Sequence, residues 1–107
     1  MTFNTYGNKE NPSLMLIPVG VSYEIFLPLI ELLKNDFYII AVGIDGFLIG
    51  QESQFTSIDD QAVQVIGFDQ ENLGGHLDVA YGLSLGGKIL SRIMERNEIV
   101  IDHARKR

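Results

Sequence analysis

Short apolar runs alternate along this chain with longer segments in which apolar residues recur every three or four positions. Leu14-Met15-Leu16-Ile17 is continuously apolar, as expected of a strand covered on both faces. In residues 22–34, Ile25, Phe26, Leu29, Ile30 and Leu33 fall on one side of a helix. Pro28 sits inside that pattern, so the regular helix is expected to begin near it, where proline is tolerated in the first turn. Residues 37–42 are aromatic and β-branched and predict a second buried strand. A loop follows over 43–54. Thr56 or Ser57 then caps a helix running to about Asn72, with Asp59 and Asp60 in its first turn. Gly67 weakens that helix by roughly 1 kcal/mol relative to alanine. Leu73-Gly74-Gly75 closes it, residues 77–82 form a third buried strand, and a third helix runs from Leu85 to about Arg96. Residues 3–6 form a short leading strand, and Ile99-Val100-Ile101 opens a final one. Arg105-Lys106-Arg107 then stands where a buried strand would continue apolar, which marks an edge or an interrupted sheet.

Strands alternating with helices predict an α/β domain: a mostly parallel sheet of four to five strands with helices on both faces, a three-layer sandwich. With 107 residues, 46% of them hydrophobic and 21% charged, the chain reads as one globular domain over 1–107. No apolar run approaches the length of a membrane span, and no basic segment of signal-peptide type opens the chain. Zero cysteines exclude disulfides and thiolate metal sites, and a cytoplasmic location is the expectation. The two histidines are far apart in sequence, so no imidazole-based metal site is expected, nor any cofactor.

Charge is unevenly spread within a net −6. Residues 1–87 hold two lysines against eleven acids, whereas the last twenty hold Lys88, Arg92, Arg96, Arg105, Lys106 and Arg107 against three. No aromatic residue is interleaved with those cations, and the acidic body would repel a phosphate backbone. A solvated helix face and a charged segment are therefore expected, with neither nucleic acid nor membrane as partner.

Chemistry concentrates in Tyr81-Gly82-Leu83-Ser84-Leu85-Gly86-Gly87, where G-x-S-x-G lies between a predicted buried strand and a helix. That setting is the one required of a nucleophile elbow, a tight turn that lifts the serine hydroxyl above the sheet. Residues two before and two after such a serine crowd each other. Gly82 and Gly86 supply that room, and Gly87 lets the helix approach the sheet. The same stretch, through Lys88, also satisfies the G-x-x-x-x-G-K spacing of a phosphate loop. Ile89 stands where that motif needs a Ser or Thr to bind Mg²⁺, which argues against it.

The order of strand, loop, helix, strand, Asp45-Gly46 loop, helix and elbow resembles the N-terminal half of the α/β-hydrolase family, up to about Ala104. The resemblance implies an incomplete α/β-hydrolase fold with Ser84 as nucleophile toward a small ester. It also implies an oxyanion hole formed by the Leu85 and Gly20 N–H groups. Where the family places His-Gly after its strand, this chain has Pro18-Val19, which implies a distorted hole. The family's acid and histidine follow the serine along the chain. Only 23 residues do so here, so a weak or inactive ester hydrolase is expected, or a non-catalytic interaction module of hydrolase ancestry. His76 precedes the strand whose far end carries Ser84, roughly 25 Å away. His103 follows a strand expected to lie beside that one, and it is either the candidate base or a partly exposed edge residue. A sheet ending there would expose an apolar edge, so a homo-oligomer built on that edge is expected.

Overall fold

A computed structural model describes residues 1–48 and 54–107; part of the expected loop over 43–54 lies outside them. Five strands form one sheet in the order β1 (Thr2–Tyr6), β3 (Tyr38–Gly43), β2 (Ser13–Ile17), β4 (His76–Gly82) and β5 (Val100–Lys106). β1 runs antiparallel to β3, and every other neighbouring pair is parallel. β2 and β3 are buried along their whole length, which is why their sequences are apolar without alternation.

Helices cover both faces. α2 (Ile58–Asn72) and α3 (Leu85–Arg96) bring Ala62, Val65, Ile66, Ile89, Leu90 and Ile93 onto Met15, Ile17, Ile40 and Val42. On the other face α1 (Leu27–Leu33) and the 3₁₀ turn Tyr23–Phe26 before it set Phe26 and Ile30 against Leu14, Leu16, Ile39 and Ala41. The helix expected over 22–34 is thus divided, and Pro28 sits in the first turn of the regular part. Ser57 is the cap of α2, accepting a 2.9 Å bond from the Asp60 N–H.

β5 differs from its expected extent. It continues through the charged residues to Lys106, because its ladder to β4 is made by backbone and its side chains are mostly exposed. The arginines of α3 are held by nearby carboxylates: Arg92 and Arg96 both reach Asp59, and Arg96 also pairs with Glu98.

Asp69, on α2, is fully buried with neither carboxylate oxygen hydrogen-bonded. Burial pushes its pKa from 3.8 up to about 6, against a weaker pull from His76. Its folded pKa thus exceeds the unfolded one, so below about pH 4 both states hold the proton and nothing is lost. Stability falls as pH rises from there to about 6, by roughly 3 kcal/mol in all. Asp69→Asn should therefore raise the urea midpoint at pH 7, and the gain should vanish near pH 4; a midpoint unchanged or lowered at pH 7 contradicts this account.

Candidate active site

Ser84 links the end of β4 to the start of α3 and adopts φ 54°, ψ −110°. An L residue rarely takes this conformation, and holding it there takes about 1–3 kcal/mol from the surrounding structure. The surroundings that impose it are identifiable. A Cβ added at Gly86 would lie 2.0 Å from the Ile17 carbonyl oxygen and 2.6 Å from that of Pro18. One added at Gly82 would lie 2.5 Å from the Gly86 carbonyl oxygen and 2.8 Å from the Gly87 Cα. The first turn of α3 is therefore wedged against the end of β2, and glycine alone fits at both positions.

The wedge lifts Ser84 outward. The residue is exposed, and its hydroxyl makes no capping bond to α3. Leu83 N–H donates to Ile17 C=O at 3.0 Å, fixing the turn to β2. The Ser84 N–H donates to the Arg107 carbonyl, and Arg107 N–H returns a bond to Gly82 C=O, so the residue just past β5 lies against this turn. The sequence carried no signal for that contact, since it is made through backbone alone.

Leu85 is the first residue of α3, and its N–H lies before the helix's first internal bond, which Lys88 N–H makes to Ser84 C=O at 3.1 Å. Such an amide sits at the positive end of the helix and suits a developing anion. Gly20 lies alongside: a Cβ there would be 3.2 Å from the Phe47 ring and 3.9 Å from Leu85 Cδ2. Neither Val19 nor Gly20 has a positive φ. Asp45-Gly46 makes the turn after β3: Gly46 has φ +89°, and Asp45 accepts bonds from Gln61 and Gln64 of α2 at 3.0 Å each.

The histidines do not join this group. His103 is registered with Val79, three residues before Gly82, which puts it on the order of 15 Å from Ser84. It lines a depression of about 530 Å³ with Val79, Asp102, Ala104 and Arg105 on β4 and β5. The expectation that His103 could serve as base in cis is corrected by this register. Parallel pairing sets β5 level with β4 from His76 onward, so residue 103 falls mid-strand instead of at the elbow. His76 lies at the opposite end of β4, as its place in the sequence required.

No protein-family profile matches the sequence, and no curated protein matches it. Solved structures do. An α/β-hydrolase family protein from Desulfitobacterium hafniense superposes with a TM-score of 0.86 at 20% identity, covering 94% of this chain and 41% of that one. The chain carries part of the α/β-hydrolase fold. A carboxylesterase from the thaumarchaeon Nitrososphaera gargenis gives a TM-score of 0.83 at 21% identity, with 98% of this chain and 40% of that one covered. For a carboxylesterase from Bacillus subtilis the values are 0.71, 28%, 90% and 35%. The α/β-hydrolase fold is thus present in part, and the chain spans about two-fifths of the length of the structures it matches. Among the described residues no helix is long and apolar enough to cross a membrane.

Proposed function

We propose that the chain carries the nucleophile half of a serine ester hydrolase. The observation that supports this best is the exposed Ser84 at φ 54° between two glycines that no other residue could replace. In this reading Ser84 Oγ attacks the carbonyl carbon of a small ester. The carbonyl oxygen takes up the negative charge and is met by the Leu85 N–H, at the positive end of α3, and by the Gly20 N–H. Each such donor is worth roughly a hundredfold or more in rate. The hydroxyl proton needs a base, and neither His76 nor His103 is within hydrogen-bond reach by the strand register. The described residues by themselves therefore act slowly or not at all, and an acid and histidine from elsewhere would complete the site.

A second reading, a non-catalytic homo-oligomeric module, is favoured by a specific observation. Leu32 is 75% and Val100 61% exposed, and Ile25, Leu27 and Leu29 are also exposed on the α1 side. Apolar surface of this kind on a helix and an edge strand seeks cover.

Intact-mass analysis after fluorophosphonate treatment separates the two. A one-to-one adduct on the native sequence, absent on Ser84→Ala, is expected if Ser84 is a nucleophile; no adduct on folded protein overturns the catalytic reading. For the oligomer, light scattering at micromolar concentration should give a dimer or larger species that Val100→Arg dissociates. A monomer throughout would sink the second reading.

A further inference from the structure

At the end of β4 opposite the elbow, three potential ligands converge. His76 and Asp78 lie two residues apart on β4, and Asp102 reaches them from β5. One ligand atom from each lies within 4.8 Å of the other two. His76 Nε2 is 2.9 Å from Asp102 Oδ2 and 3.9 Å from Asp78 Oδ1. Donors on a tetrahedral first-row ion stand about 3.4 Å apart, given bonds of about 2.0–2.2 Å. The two observed separations bracket that value, and the third lies within 4.8 Å.

Asp78 is already oriented. Its Oδ2 accepts from the Ser13 N–H at 2.8 Å and from the Ser13 hydroxyl at 3.0 Å, which leaves Oδ1 toward His76. Outer hydrogen bonds of this kind fix a carboxylate ligand before a metal arrives. Two carboxylates face one imidazole, and among the described residues no lysine or arginine pairs with either of them. The local charge calls for a cation. A cavity of about 370 Å³ bordered by Lys9, Asn11, Ser13, Asn72, His76 and Asp78 leaves room for the waters that would complete its coordination.

We propose that His76, Asp78 and Asp102 bind one divalent first-row cation of the Zn²⁺ class, which fastens β5 to β4. One imidazole nitrogen with two carboxylate oxygens suits Zn²⁺ or Co²⁺ better than Ca²⁺ or Mg²⁺, which take all-oxygen shells. The consequence is mechanical. β5 is the exposed edge strand, the residue just past its far end hydrogen-bonds Ser84, and the ion would hold its near end. The inference does not depend on Ser84 being reactive.

Titration of the whole chain with ZnCl₂ by calorimetry, and with CoCl₂ by visible absorption, tests it. Saturable one-to-one binding is expected, with a cobalt band that reports nitrogen ligation. Asp102→Asn and Asp78→Asn should each weaken binding roughly tenfold or more, and His76→Gln should remove the cobalt band, while His103→Gln leaves both unchanged. Circular dichroism verifies that each variant is folded, and should His76→Gln unfold, the isosteric Asp102→Asn decides. Absence of saturable binding overturns the proposal. So does a loss on His103→Gln equal to that on His76→Gln, which would mean adventitious imidazole binding.

Discussion

The structure depends on one close approach: the first turn of α3 pressed against the carbonyl groups at the end of β2. Gly86 makes that approach, with no space for even a methyl group between it and the Ile17 carbonyl. The helix axis, its distance from the sheet and the conformation of Ser84 are all set there. Ser84 cannot relax to an ordinary φ without moving either α3 off its apolar seat on Met15 and Ile17, or β4 out of its ladder with β2. Burial of Ile89, Leu90 and Ile93 holds the helix down and supplies the energy that keeps the turn strained.

The geometry of the turn at Ser84 follows from that constraint. A sharp turn exposes the hydroxyl, aligns the Leu85 N–H with the start of a helix, and brings the loop around Gly20 next to Leu85. What it does not supply is a proton acceptor. The fold matches solved α/β-hydrolases over nearly all of the chain and about two-fifths of theirs.

The parts of this arrangement that rest on local chemistry were legible in the sequence. Continuous apolar runs marked β2 and β3, and spacing marked the helical segment that contains α1. The G-x-S-x-G glycines marked the wedge, because only a steric demand explains two of them at that separation. The parts that rest on register were not legible. Whether His103 reached Ser84 depended on which residue of β4 it faced, and nothing in the residues themselves encodes that Val79 is its partner. The same holds for His76 and Asp102, which are 26 residues apart and meet at 2.9 Å across two strands. The groups that reach His76 are carboxylates, one on its own strand and one on the adjacent strand, and not a second imidazole. β5 outran its apolar stretch because an edge strand needs a backbone partner more than buried side chains. Nothing in the sequence singled out Asp69 on α2, over which packing closes.

The central claim is that packing forces Ser84 into a backbone conformation unfavourable to L residues, and comparing Ser84→Gly with Ser84→Ala by equilibrium urea denaturation tests it most directly. Neither variant has a hydroxyl, so the difference between them reports the backbone alone. If φ 54° is imposed as described, the glycine variant should be more stable than the alanine variant by about 1 kcal/mol or more. An alanine variant equal to or more stable than the glycine variant, as at an ordinary helical position, would contradict the account.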